Sequence, residues 1–211
     1  MNVSRFLAFL SAPLLWSISA VVSAAAFGCG DLRSSYGPFD YRTIPPEPKY
    51  LVESAHFPPH VETLKQGNSS SLGGDIAYTL HAIPNHPRAL LSLERLGMRD
   101  KTERPYGARY SVECYFDRAI RFVQDDPMPH LLYAIYLKDR KRLAEATRQL
   151  DESERLQGEP SSYELDYNLG LLYFDVRNYE KAMAHAKRAY ELGATLPGLK
   201  TKMQSVGKWD H

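Results

Sequence analysis

The chain has 211 residues, with 26 Lys and Arg side chains against 25 Asp and Glu, and therefore a formal net charge of +1. This length is enough for one domain with a sizeable core, or for two small ones. The near-neutral balance and the absence of a run of like charges exclude the basic surface typical of nucleic-acid binding, so we expect no nucleic-acid partner.

The first 26 residues have the composition of a secretory signal peptide. Arg5 is the only charged residue among the first 30, and an almost wholly apolar segment covers 6–22, followed by small residues at 23–26. The alternative is a membrane-anchoring helix. However, about 17 apolar residues is borderline for a span, and Pro13 breaks a helix. We therefore expect cleavage near Phe27, a periplasmic protein and no transmembrane span after signal cleavage.

Two cysteines remain after this cleavage, Cys29 and Cys114. In an oxidising compartment such a pair predicts one disulfide. The bond would close a loop of roughly 85 residues and stabilise the fold by on the order of 4 kcal/mol. The alternative is that Cys29 is the lipidated first residue of a lipoprotein, although Ala26 and Phe27 suit that signal poorly. A metal site is disfavoured because no close cysteine pair exists.

Residues 27–71 differ from the rest of the chain because proline and turn residues interrupt them throughout. Proline removes amide donors and breaks helices, so this segment is predicted to be an extended or turn-rich arm, with a short helix possible at 59–65. Its apolar content is too high for a free tail, so we expect the arm to lie on the helical domain. The side chains concerned are Tyr36, Phe39, Tyr41, Tyr50, Leu51, Val52 and Phe57.

From about residue 74 onward, apolar residues recur at three- and four-residue spacing, which is typical of amphipathic helices. We therefore predict an all-α fold, with repeats over 72–196 and a C-terminal capping helix and tail over 197–211. A loop is predicted over 98–108, ahead of which Gly97 would end its helix. The predicted helices are 74–83, 87–97, 110–123, 125–138, 143–156, 163–174, 179–192 and 199–206.

The strongest internal signal is Leu169-Gly170-x-x-Tyr173 followed by Tyr179-x-x-Ala182 and Ala186. This segment resembles the tetratricopeptide repeat, in which small residues let two antiparallel helices approach closely and a large residue fills the gap to the next pair. A second copy lies 36 residues earlier, and a degenerate third joins 87–97 to 110–123. The resemblance implies a short superhelix of helical hairpins, whose core positions are Ala134, Leu137, Ala146, Gly170, Tyr173, Ala182 and Ala189.

A closer similarity to small exported repeat proteins of proteobacteria is suggested by three short segments, but it implies no mechanism. These segments are Cys29-Gly30, residues 36–42 and Cys114-Tyr115-Phe116. The polar helix near the C-terminus resembles the cap that closes the open end of a repeat stack.

The tetratricopeptide resemblance also implies a concave groove lined by the first helix of each pair. Such an apolar groove with charged edges suits a protein or peptide partner of the cell envelope, and we expect an adaptor or scaffold. The alternative occupant is the protein's own arm, and the alternative function is a periplasmic ligand- or glycan-binding module. The residues carried onto this groove are Met128, Leu131, Ile135, Lys138, Glu164, Tyr167, Leu171, Phe174 and Asp175.

No pattern of catalytic residues emerges from the sequence, so we expect neither an enzyme nor a cofactor. His56 and His60 have the spacing of a zinc motif, but Pro58 and Pro59 lie between them and the required Glu is missing. His130 and His185 lie on repeat helices and are predicted to be partly exposed.

Overall fold

The computed structural model describes residues 28–158 and 160–209, and over these ranges it contains ten α-helices and no strand. The predicted all-α fold is confirmed. The predicted signal peptide lies outside the described residues. The helices are α1 (Pro46–His56), α2 (Pro59–Glu62), α3 (Leu72–Ala82), α4 (Pro87–Asp100), α5 (Val112–Phe122), α6 (Pro127–Asp139), α7 (Leu143–Leu156), α8 (Tyr163–Asp175), α9 (Tyr179–Glu191) and α10 (Gly198–Ser205).

Local chemistry accounts for most helix starts. Proline opens α1, α4 and α6, where the first turn needs no amide donor. Serine side chains at 71, 111 and 162 accept the amide hydrogen of the third helical residue at the starts of α3, α5 and α8. These caps fix where the chain enters each helix.

The predicted end of the helix that begins at Pro87 was wrong. Gly97 does not end α4, which continues to Asp100 and terminates at Lys101 in the left-handed conformation (φ 50°). A Cβ at Gly97 would lie 3.0 Å from the Thr102 carbonyl oxygen and 3.0 Å from Val112 Cγ2. Gly97 therefore allows the following loop to approach the helix closely, and it does not mark the end of the helix.

The arm is also not extended throughout, because α1 occupies Pro46–His56 within it. Pro46 and Pro48 fall in the first helical turn, where missing amide hydrogens cost no hydrogen bond. Val52 and Phe57 are buried as predicted, whereas Tyr50 and Leu51 lie on the outer face of α1 and are 70% and 50% exposed. A prediction based on proline content alone therefore missed this helix.

In the C-terminal half, α6 packs along α7, and α8 packs along α9. Three-residue connections join the members of each pair, which makes them antiparallel hairpins. Ala134, Ala146, Gly170 and Ala182 are all buried between the paired helices. Helix α10 packs on the open side of α8 and α9 and covers the end of this stack.

The N-terminal half has a different arrangement, in which α4 contacts α3 and α5 less extensively. Helix α1 packs on α3, and α2 packs on α3 and α4. A single apolar core nevertheless extends from Phe57 to Met203. A smaller cluster beneath the arm joins Val52 and Ile83 to the half-buried rings of Tyr36 and Phe39. The arm is thus part of the folded domain.

Candidate functional site

The residues predicted to line the groove lie on one face of α6 and one face of α8. Leu131 and Tyr167 are buried and belong to the core, whereas Glu164 is exposed. The remaining apolar members are half-buried and pack against the core, namely Met128, Ile135, Leu171 and Phe174. The groove therefore stays a prediction.

Helix α10 borders the predicted groove at α8. The Tyr167 hydroxyl accepts the backbone amide hydrogen of Leu199 at 3.1 Å, and Lys202 Nζ lies 2.6 Å from the Asp175 carboxylate. Lys202 Nζ also lies 5.2 Å from the centre of the Phe174 ring. The capping helix therefore engages three of the residues that were predicted to meet a partner.

The arm is anchored away from the predicted groove. The Phe39 amide donates to the carbonyl oxygen of Ala82 at 2.8 Å, and the Tyr41 amide donates to Asn85 Oδ1 at 2.9 Å. Both anchors lie at the carboxyl end of α3 and the turn behind it. Within the described residues, the hydrogen bonds of the arm involve none of the predicted groove residues.

The predicted disulfide between Cys29 and Cys114 is present and is confirmed. It joins the start of the described arm to the first turn of α5 and closes a loop with a sequence separation of 85. Beside it, Arg118 Nη1 donates to the carbonyl oxygens of Cys29 at 3.1 Å and Asp31 at 2.5 Å. A covalent bond and a buried guanidinium therefore hold the same short stretch of arm.

A cavity of about 770 Å³ lies on the opposite face of α6 from the predicted groove. Helices α5 and α7 form its walls, α6 forms its floor, and Cys29 of the arm lies at its edge. We call it the outer cleft. Its wall residues include Glu113, Asp117 and Ile120 on α5 and Glu145, Arg148 and Gln149 on α7, and its floor residues include His130, Tyr133 and Tyr136.

The aromatic floor of the outer cleft is fixed by hydrogen bonds to charged residues. The Tyr133 hydroxyl donates to Glu113 Oε1 at 2.5 Å, and Arg142 Nη1 donates to the same oxygen at 2.8 Å. Arg142 also forms a two-point contact with Glu145 at 2.7 Å. Burial, together with the hydrogen bond to Glu113, raises the pKa of Tyr133, so its hydroxyl stays protonated and oriented.

A second set of contacts closes the end of the cleft near the 101–111 loop. The Tyr136 hydroxyl donates to Glu103 Oε2 at 2.7 Å, and Arg140 Nε donates to Glu103 Oε1 at 3.2 Å. The Arg140 guanidinium also lies 3.6 Å from the centre of the Tyr136 ring. Behind it, burial raises the pKa of Glu94, whose carboxylate lies 3.8 Å from Arg140. The arrangement gives a rigid aromatic floor with charges of both signs at its rim.

The two histidines that were predicted to be partly exposed are buried, so that prediction was wrong. His130 Nδ1 lies 2.7 Å from Gln149 Oε1 and is 7% exposed. His185 is fully buried, with Nδ1 2.7 Å from Asp166 Oδ1 and its ring stacked on Tyr173. Each histidine is satisfied by a polar side chain 19 residues away on the other helix of its hairpin, which helical periodicity alone does not reveal.

The outer cleft was not predicted from the sequence, because the tetratricopeptide resemblance points to only one face of α6. The signal that could have revealed it is that α6 carries large apolar or aromatic residues on both faces. Leu131 and Ile135 lie on one face, and Tyr133 and Tyr136 lie on the other. A helix that is apolar all round is covered on every side or presents a binding surface.

His56 does not pair with His60, and instead its Nδ1 lies 3.0 Å from Asp75 Oδ1. Over residues 28–158 and 160–209, no group of three His, Cys, Asp or Glu side chains is placed so that it could hold a metal ion. Among the helices in those ranges, none has the length and apolar character needed to cross a membrane.

Comparisons with protein-family models, with curated proteins and with solved structures found no match. The tetratricopeptide resemblance therefore stays a prediction.

Proposed function

We propose that the protein is an exported adaptor that binds a partner polypeptide of the cell envelope through its stacked, tetratricopeptide-like helical hairpins. The observation that carries the proposal is the outer cleft, in which α5 and α7 flank an aromatic floor on α6. Tyr and Arg are the residue types most enriched where protein interfaces concentrate their binding energy. The cleft offers two tyrosine rings and three arginines within one concave surface.

The chemistry of the cleft suggests the form of the partner. Glu113 and Glu145 are already paired with Arg142, whereas Arg148 lies 3.9 Å from Glu145 and its side chain is 68% exposed. On the opposite wall, Asp117 forms only an exposed pair with Arg121. A polypeptide segment with an apolar anchor over Tyr133 and a charge of each sign beside it would match both walls.

Export is supported by two features of the chain. The signal-like composition of residues 1–26 predicts secretion, and the disulfide between Cys29 and Cys114 is typical of an oxidising compartment. Mass spectrometry of the protein from an envelope fraction tests this part directly. We expect an intact mass that corresponds to cleavage near Phe27 and to an oxidised cysteine pair, with no added lipid.

Cross-linking capture from envelope fractions tests the binding proposal. The cleft variant combines Asp117→Lys with Arg148→Glu, which reverses one exposed charge on each wall and preserves the net charge. The groove variant combines Leu171→Asp with Phe174→Asp. A matched control, Glu180→Lys with Lys187→Glu, makes the same charge exchange at exposed positions of α9, away from both surfaces.

We expect the wild type, the groove variant and the control to capture the same discrete partner, and the cleft variant to lose most of it. Each variant must first show the wild-type circular dichroism spectrum. Loss of capture in the groove variant alone would instead assign partner binding to the predicted groove. Equal capture by all four proteins, or no enriched partner, would contradict the adaptor proposal.

A further inference from the structure

A second concave surface lies between the arm and α3. It begins with a hollow of about 320 Å³ bordered by arm residues 33–35, the outer face of α3 and the loop before α5. Arg33 and Arg109 line it, and no Asp or Glu does. The hollow is therefore basic, although the chain as a whole is nearly neutral.

Arg118 adds a buried positive charge behind this hollow. Its side chain is almost completely buried, and Nε and Nη2 have no hydrogen-bond partner. It contacts the carbonyl oxygens of Cys29 and Asp31, which carry only partial charges, and lies 5.1 Å from the centre of the Tyr110 ring. Among the described residues, no carboxylate oxygen lies within 4 Å of its nitrogens. Its charge is therefore weakly screened and contributes to the field at the surface.

Of the groups that face the hollow, Arg109 adds a further positive charge. The Arg109 guanidinium lies 5.3 Å from the centre of the Tyr110 ring, and within the described residues it forms no ion pair. The Arg33 side chain is 91% exposed and pairs with the Asp31 carboxylate, so this pair adds little net charge. Burial, with Arg118 and Arg109 nearby, lowers the pKa of His81 to about 4. His81 is thus a neutral hydrogen-bonding group at pH 7.

An apolar hollow of about 200 Å³ adjoins the basic one and shares Tyr78 with it. Its other lining residues include Tyr36, Leu51 and His56. Leu51 and Tyr78 are exposed, although both are large and apolar. The His56 ring stacks on Tyr78 at 3.9 Å and is held from below by Asp75, so this wall is rigid.

We propose that these two hollows form one binding site for a small acidic amphiphile. Its phosphate or carboxylate group contacts Arg109, beside the Arg33–Asp31 pair, and its short apolar tail crosses Tyr78 to reach Leu51. The basic hollow supplies the charge that recognises the head group, since arginine is suited to planar or multidentate anions. The exposed apolar residues next to it provide the surface that the tail contacts. This inference does not depend on the adaptor proposal.

Titration calorimetry with the purified, disulfide-bonded protein tests the site. The probes are hexyl phosphate, hexanoate, inorganic phosphate and hexanol, which separate the head group from the tail. We expect hexyl phosphate or hexanoate to bind at least about tenfold more tightly than inorganic phosphate, with hexanol weakest. The tighter of the two acids identifies the head group. Failure of both acids to bind saturably at millimolar concentration would overturn the proposal.

Three variants locate the binding. Arg109→Ala is expected to lower the affinity for both hexyl phosphate and inorganic phosphate by about tenfold, since it removes the charged donor. Leu51→Ser is expected to lower the affinity for hexyl phosphate and to leave that for inorganic phosphate unchanged. Arg104→Ala removes the same charge from the same loop outside the hollow and is expected to change neither affinity. Equal losses in the two arginine variants would show nonspecific attraction and overturn the proposed site.

Co-sedimentation with phosphatidylglycerol vesicles distinguishes the source of the anion. Binding that requires Arg109 and Leu51 would assign the site to a lipid presented by a membrane. The absence of binding, combined with saturable calorimetry, would assign it to a free acid.

Discussion

The C-terminal hairpins, α6 to α9, and the N-terminal part, from the arm to α5, are stabilised in different ways. In the hairpins, residues such as Ala146 and Gly170 allow paired helices to pack along their length. In the N-terminal part, the helices contact one another less, and distant residues join them through specific bonds. These include the Cys29–Cys114 disulfide and the contacts of Asn85 with the arm.

This difference shows that neighbouring parts of one core can depend on different interactions. The hairpins depend on contacts that are local in sequence and mainly apolar, so they should unfold last. The N-terminal part depends on cross-links over 33 to 91 residues, as for His86 with Glu53 and Arg121 with the Gly30 carbonyl oxygen. Removing one such cross-link should release the arm before it disturbs the hairpins.

The largest effect is expected from the double substitution Cys29→Ser with Cys114→Ser. The disulfide restricts a loop with a sequence separation of 85, so its loss should lower the free energy of unfolding by about 4–5 kcal/mol. Chemical denaturation under non-reducing conditions measures this difference. Hydrogen exchange should show faster exchange in residues 28–44 and unchanged protection in α8 and α9. Uniformly faster exchange would contradict the separation of the two regions.

Asn85→Ala is expected to be the next most severe change. The Asn85 amide nitrogen donates to Asp40 at 2.7 Å and to Asp126 at 2.8 Å, and its oxygen accepts the Tyr41 amide hydrogen. Truncation removes three hydrogen bonds, one of them to the buried Asp126 carboxylate, so the free energy of unfolding should fall by about 3 kcal/mol. Thermal unfolding is the measurement. Asn168→Ala, which removes one exposed hydrogen bond on α8, should change stability by less than about 0.5 kcal/mol.

Gly170→Val tests close packing in the hairpins. A Cβ at this position would lie 2.6 Å from Leu199 Cδ2 and 3.4 Å from the Ala182 carbonyl oxygen. Overpacking should cost about 2 kcal/mol and should loosen α10, which would raise its hydrogen exchange. The control is Gly158→Val, since a Cβ there would have no neighbour within 4 Å. Equal stability of the two variants would argue against a steric role for Gly170.

The smallest predicted effect concerns pH. His81 has a pKa of about 4 in the folded protein, below its unfolded value of 6.5, because burial and two nearby arginines disfavour the charged form. Its contribution to stability is therefore present above pH 6.5 and is lost as the pH falls toward 4. His81→Gln should reduce the loss of stability between pH 7 and pH 5 by about 1 kcal/mol, after allowance for solvent screening. Denaturation at both pH values, compared with the wild type, measures this difference. An equal loss in both proteins would contradict the assigned role.

The parts of the fold that could be predicted from the sequence are those in which local pattern and structure coincide. Helix α7 lies where its periodicity placed it, and α8 and α9 each differ by one residue at a single end. Their buried residues repeat at helical spacing and their ends carry ordinary turn signals. The disulfide was predictable because only two cysteines follow the signal-like segment.

The remaining features depend on contacts between residues far apart in the chain. Helix α1 was missed because its prolines occupy a first turn, which looks the same in sequence as a helix-breaking segment. The burial of His185 depends on Asp166 across the hairpin, and the outer cleft depends on how far apart α5 and α7 lie. No local pattern encodes these distances, so neither the cleft nor the basic hollow could be located from sequence alone.

The most direct test of the proposed binding surface is photo-cross-linking with a benzophenone amino acid placed at one position at a time. Position 148 lies in the outer cleft, and position 171 lies in the predicted groove. We expect a discrete adduct with a single envelope protein from position 148, and none from position 171. An adduct from position 171 alone would contradict the assignment of partner binding to the outer cleft.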